Sequence, residues 1–220
     1  MIKAVIFDLD GVLIDSVALG LRARKKLLAS YGVDLNTIPD PQGESHKASS
    51  LKTLLAHVKA RYNIDIDHDE FAQKAREQIY QELQESGTSA DPLLVSFLDN
   101  LTHNHIMCAI ASSGLRAGIN NKLKILGIAH YFSVIVSGDE VKEHKPHPEP
   151  YLYAMQKLNL SPHECVIFED SLTGVQAGLA AGCAVIGFTQ YNAAHDLLPA
   201  TLPTIRNWGE IDYEKLNTLA

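Results

Sequence analysis

Ala4-Val5-Ile6-Phe7-Asp8-Leu9-Asp10-Gly11-Val12 is the stretch on which the reading of this chain turns. Four apolar residues lead into two aspartates one residue apart and then a glycine, and Ala4–Asp8 reads as the first strand. An apolar run with no polar alternation is the pattern of a parallel strand covered on both faces by helices. Similar runs recur at Ile106–Ala111, Cys165–Glu169 and Ala184–Phe188, with a weaker one at Phe132–Ser137. Helix-period segments lie between them at Leu115–Leu126, Pro148–Leu158 and Leu172–Ala181. Gly127 and Gly182 stand where helices end in a left-handed residue. Alternating strand and helix predicts an α/β fold with a doubly wound parallel sheet.

The interval from Ser16 to about Val95 breaks this rhythm. It holds only helical periodicity, at Leu19–Tyr31, Ser49–Tyr62 and Asp69–Glu85, with Asp67 or Asp69 as an N-cap for the last. That is too long for a strand-to-helix crossover. The economical division is a core of residues 1–15 and 91–220 and an inserted all-helical domain of residues 16–90. Gly43 and Gly87 flank parts of the insertion and permit bending.

The chain has 220 residues and a formal charge of -7, which argues against non-specific nucleic-acid binding, since that needs a cationic surface. No apolar run reaches the roughly 18 residues of a membrane span. The opening segment turns acidic too soon for a secretory signal, so a cytoplasmic location is expected. Cys108, Cys165 and Cys183 sit in apolar or small-residue runs and read as buried free thiols.

In open α/β sheets the ligand crevice lies at the carboxyl ends of the strands. Those ends carry Asp8 and Asp10, then Ser112 in Ala111-Ser112-Ser113-Gly114, then Glu169-Asp170-Ser171, with Lys145 in a loop after the weaker strand. So many carboxylates repel unless a cation joins them, and hard oxygen donors suit Mg²⁺. An ionised aspartate is a nucleophile as it stands, and a second carboxylate can pass a proton to a leaving alcohol and later take one from water. Lys145 brings a compact positive charge for an anionic oxygen, and Ser112 a hydroxyl ahead of a helix start.

Asp8-Leu9-Asp10-Gly11-Val12-Leu13-Ile14-Asp15-Ser16 resembles the first motif of the haloacid-dehalogenase superfamily. Ser112 matches its second motif, Lys145 in Lys-Pro-His-Pro its third, and Glu169-Asp170-Ser171 its fourth, with Gly174 and Gly178 following. The likeness runs from Met1 to about Phe188. It implies a Rossmann-like core, Asp8 as nucleophile and Asp10 as general acid/base. It implies Mg²⁺ held by Asp8, the Asp10 carbonyl and Asp170, with Glu169 adjacent or ligating through water, and a phosphoryl group bound by Lys145 and Ser112. The second aspartate favours phosphate substrates over carbon–halogen bonds.

The helical insertion resembles the family's small cap, and the subgroup most like this chain contains β-phosphoglucomutases and small sugar-phosphate or phosphoglycolate phosphatases. Gly20 stands where the mutases usually carry a histidine, and His46 or Lys47 where they carry a cap arginine; Arg76 is a further cap cation. These departures point to hydrolysis of a small phosphorylated metabolite. A phosphomutase is the alternative, and a non-catalytic binding protein on the same fold a third. Lone features have plainer readings. Asp15 and Ser16 read as helix caps, His103-Asn104-His105 as a solvated turn, and His144 and His147 as loop residues.

Overall fold

The computed structural model describes residues 1–38, 51–85, 87–191 and 203–219. Its strands are β1 (Ala4–Phe7), β2 (Met107–Ala111), β3 (Phe132–Val136), β4 (Cys165–Glu169) and β5 (Ala184–Gly187). All pairings are parallel and the order across the sheet is β3-β2-β1-β4-β5. The chain therefore winds outward from β1 first one way and then the other. The crevice at a reversal of this kind opens at the carboxyl end of the central strand, and Asp8 is the residue directly after β1.

The helices of this part are α4 (Pro92–His103), α5 (Arg116–Leu126), α6 (Glu149–Leu158), α7 (Leu172–Ala180) and α8 (Tyr213–Leu219). Every residue of β1 and β4 is buried, which is why those segments show no polar alternation. On one face Ala4, Ile6, Ala109 and Ile167 pack against Tyr151, Ala154 and Val175. On the other, Phe7 stacks on Phe168 with ring centroids 5.4 Å apart, and Phe97 and Trp208 complete an aromatic layer. The weak fifth run is a true strand at the sheet edge, where Ser133, Val134 and Ile135 are not fully buried. Gly127 caps α5 at φ 74°, the left-handed position that glycine occupies at least cost.

The chain folds as two compact units, one of Met1–Asp15 with Ser89–Ala220 and one of Ser16–Thr88. The second unit contains α1 (Ser16–Ser30), α2 (Leu51–Tyr62) and α3 (His68–Glu85) around Leu28, Leu54, Val58 and Phe71. Asp67 accepts hydrogen bonds from the backbone N–H groups of Asp69 and Glu70 and so caps α3. Gly43, His46 and Lys47 lie outside the described residues. Gly87 has a φ of 60°. Among the described residues no helix is long and apolar enough to cross a membrane, and the three cysteines are free and buried.

Candidate active site

Strand register builds the site. Phe7 is level with Ile110 of β2 and Phe168 of β4, so the next residues, Asp8, Ala111 and Glu169, come up side by side. One ammonium group joins all three. Lys145 Nζ donates to Asp8 Oδ1 at 2.6 Å, to Glu169 Oε1 at 2.6 Å and to the Ala111 carbonyl at 3.0 Å. The Lys145 side chain is only 5% exposed, so it is a buried charge with every proton committed.

Glu169 is saturated. Its Oε1 also accepts from the Tyr151 hydroxyl at 2.8 Å, and its Oε2 accepts from the Ser171 backbone N–H and hydroxyl, each at 3.0 Å. Burial would raise its pKa, but the charge and hydrogen bond of Lys145, with the Ser171 and Tyr151 donors, turn the shift downward. Asp8 goes the other way. Burial holds its pKa well above the ordinary carboxylate value, with Lys145 opposing and the Glu169 charge reinforcing. Asp170 is pushed up to about 7, by burial first and then by the Glu169 charge. Lys145 itself is held well above its ordinary value; burial pulls it down, and Asp8, Tyr151 and Glu169 more than reverse this.

Asp8, Glu169 and Asp170 place one carboxylate oxygen each within 4.8 Å of one another. This is the one such acidic, histidine or cysteine group among the described residues. Asp10 adds a fourth carboxylate, paired with Lys122. Four carboxylates against the two lysines leave a formal charge of -2. The deficit, the all-oxygen donors and the raised Asp170 together fit a divalent cation.

Two glycines make the close packing possible. A Cβ on Gly11, where φ is 91°, would lie 2.0 Å from Asp170 Oδ2, and one on Gly174 would lie 1.7 Å from Glu169 Oε1. Ser112 is 3% exposed, and its Oγ accepts from the Gly114 N–H at 3.1 Å, so its hydroxyl proton is free to donate elsewhere. Asp8, Asp10, Ser112, Lys145 and Asp170 line a common cleft of about 250 Å³.

The core residues singled out from sequence are thus gathered at one place. Arg76 is an exposed residue of α3 in the helical unit. Sequence reasoning missed Lys122 and Tyr151. Tyr151 begins the buried stripe Tyr151, Ala154, Met155, Leu158 of α6, and periodicity alone marks it as core. Lys122 flanks the buried Ile119 and Leu123 of α5, a position that reads as an ordinary helix lysine. His147 accepts from the Glu149 N–H at 3.2 Å, which makes it a turn residue ahead of α6.

A buried carboxylate at the switch point of a parallel sheet, an ammonium group against it and an acidic triad beside it make an anion- and cation-binding crevice of the open α/β class. The sequence profile of the haloacid dehalogenase-like hydrolases matches residues 5–188. The chain belongs to that family. It is 33% identical over 205 residues to a phosphorylated carbohydrates phosphatase of Thermotoga maritima, covering 89% of this chain and 87% of the relative. It is 28% identical over 237 residues to a phosphoglycolate phosphatase of Escherichia coli, covering 90% and 92%. Among solved structures, a β-phosphoglucomutase of Clostridium difficile superposes with a TM-score of 0.73 at 26% identity, covering 99% of this chain and 96% of that one.

Proposed function

We propose that this chain is a Mg²⁺-dependent phosphatase that hydrolyses a small phosphomonoester, a sugar phosphate or phosphoglycolate-like molecule, through a phospho-aspartyl intermediate on Asp8. The observation that supports this most is the buried Asp8 carboxylate, held by Lys145 in a cleft shared with Ser112, Asp10 and Asp170. Residues 1–15 and 91–220 form the catalytic core in this reading, and residues 16–90 the cap that selects the substrate. The expected setting is cytoplasmic.

The Asp8 carboxylate attacks phosphorus while the bond from phosphorus to the leaving oxygen breaks, and Asp10 gives that oxygen its proton. Asp10, now a carboxylate, takes a proton from water. The water oxygen attacks phosphorus, the bond to Asp8 breaks, and free aspartate and inorganic phosphate result. The Ser112 hydroxyl holds one non-bridging oxygen, and Lys145 exchanges its hydrogen bond to Asp8 for one to another as the phosphoryl group arrives. Asp8, the Asp10 carbonyl and Asp170 would hold Mg²⁺, with Glu169 adjacent or reaching it through water. When bound, the ion supplies charge neutralisation at the phosphoryl oxygens.

A β-phosphoglucomutase-like reaction is the second reading, favoured by the likeness over nearly the whole chain to a solved mutase. Against it stands Gly20 in α1. A Cβ built there meets nothing within 4 Å, so no packing demand explains the glycine, and it offers no group to hold a second phosphate. The test is a panel of sugar phosphates, 2-phosphoglycolate and nucleotides, assayed for free phosphate with and without Mg²⁺. Phosphate release that needs Mg²⁺ is expected for at least one of the small phosphomonoesters. Isomer interconversion primed by a sugar bisphosphate, with no net phosphate release, would establish the mutase instead.

The raised Asp170 sets a pH dependence that is independent of substrate. In the metal-free folded chain Asp170 keeps its proton up to about 7, against an ordinary value of 3.8. The unfolded chain binds fewer protons in that window, so stability of the metal-free protein falls as pH rises through it. A cation needs the ionised form and gains from the same rise. The increase in Tm on adding MgCl₂ should therefore be small at pH 5.5 and large at pH 8. A metal-induced shift equal at both pH values would contradict this account. Asp170→Asn should remove most of the metal response at either pH.

A further inference from the structure

Asp8 and Asp10 are each paired with a lysine of their own. Lys145 serves Asp8 from the loop before α6, and Lys122 serves Asp10 from the second turn of α5. The pairing follows from helix geometry. Lys122 lies six residues beyond Arg116, the first residue of α5, roughly 9 Å along the axis. Helical side chains lean towards the N-terminus, so an extended lysine there reaches back towards the strand ends. Burial of Ile119, Leu123 and Leu126 on the adjoining face fixes the rotation of the helix, and the Lys122 side chain is itself only 15% exposed.

Asp10 lines the cleft, and Lys122 is not among the residues that do. The backbone at Asp10 is fixed as well, by a bridge to Ile14 and by the Gly11 N–H donating to the Ile14 carbonyl at 2.8 Å. The Asp10 side chain, at 35% exposure, is left with its χ angles to settle, and Lys122 is the side chain seen to hold it.

We propose that Lys122 is a positioning residue for phosphoryl transfer, holding the Asp10 side chain where it meets the leaving-group oxygen. The proposal rests on the reading of Asp10 as the group that protonates that oxygen. In the covalent step the ester P–O bond breaks and the Asp8–P bond forms. Asp10, a carboxylate paired with Lys122 in the resting site, takes a proton from solvent as the anionic ester binds, passes it to the departing oxygen and is again a carboxylate facing Lys122. Lys122 gains and loses no proton in the sequence.

The readout is the dependence on the leaving group. In kcat/KM, which reports steps up to departure of the alcohol, phenyl phosphate needs a proton donor and 4-nitrophenyl phosphate does not. The Mg²⁺-loaded wild-type protein, Lys122→Met, Lys122→Gln, Lys122→Arg and Asp10→Asn are compared on both esters, with a melting curve for each. Lys122→Met and Lys122→Gln should lose roughly 10–100-fold on phenyl phosphate and less than about threefold on 4-nitrophenyl phosphate, a part of what a general acid is worth. Lys122→Arg should recover most of the loss. Equal losses on the two esters, no loss on either, or a failed recovery by arginine would overturn the role of Lys122 while Asp10→Asn keeps its bias against phenyl phosphate. Should Asp10→Asn show no such bias, the reading of Asp10 is wrong and the proposal goes with it.

Discussion

Asp8→Asn is expected to lower phosphate release by at least about 10³-fold while the protein remains folded, because in the proposed mechanism it removes the attacking oxygen and weakens the Mg²⁺ ligand set. Asparagine has the shape of aspartate, and it can still accept from Lys145 through its amide oxygen. The stability effect is small for a physical reason. Burial already holds the Asp8 pKa well above its ordinary value, so ionised Asp8 costs the metal-free fold free energy at neutral pH, and the neutral amide escapes that cost. It also leaves Lys145 to Glu169 alone, which offsets part of the gain. The measurement is phosphate release beside a thermal melt, with acid-quenched wild-type protein examined by mass spectrometry for a phosphoryl group on the peptide containing Asp8. A variant with undiminished turnover would rule out Asp8 as nucleophile. A variant that is inactive because it is unfolded would be separated by the melt.

Most of the sheet was legible because β1 and β4 are buried on both faces and β2 and β5 nearly so. The runs at Ala4, Cys165 and Ala184 carry no alternation to misread, and the observed strands lie within a residue of the expected ends. The acidic strand ends were legible because a parallel sheet gathers its carboxyl ends along one edge. That reasoning places Asp8, Ser112 and Glu169 together but says nothing of which cation each acid receives. Lys145 came from a motif, and the register explains it. Lys122 came from neither, since its role depends on the rotation of α5 and on a side chain running back along the helix. Tyr151 was hidden in the same way. As a residue of an apolar stripe it is core, and only the first-turn position of α6 brings its hydroxyl to Glu169. Close approach at Gly11 and Gly174 is likewise a fact of packing between distant segments; the sequence marks the glycines, but not the carboxylates they make room for.

Lys145→Met is expected to have the second large effect, on stability as well as activity. The substitution keeps most of the buried stem and removes the ammonium group, so two carboxylates held 2.6 Å from one nitrogen are left facing each other without a cation. Breaking a buried pair by removing one partner typically costs about 3–5 kcal/mol. The Ala111 carbonyl and the π face of Tyr151, whose centroid lies 4.7 Å from Lys145 Nζ, lose their partner as well. The cost should depend on pH in a definite direction. With Lys145 present, the Glu169 pKa is depressed, so its contribution to stability is present above its ordinary value and is lost as pH falls through the lowered one. Without Lys145, burial and the Asp8 charge are left to raise it, and the sign reverses. Wild type and variant should therefore differ most in Tm near neutral pH and converge towards pH 4, where protonation relieves the repulsion. If Mg²⁺ binds as proposed, it should recover part of the lost stability in the variant by bringing positive charge to the same oxygens, but not activity, because the proposed contact to the transferring phosphoryl group is gone. A Tm gap unchanged between pH 7.5 and pH 4.5 would show that Lys145 acts on the fold as a packing group and not as the cation of Asp8 and Glu169.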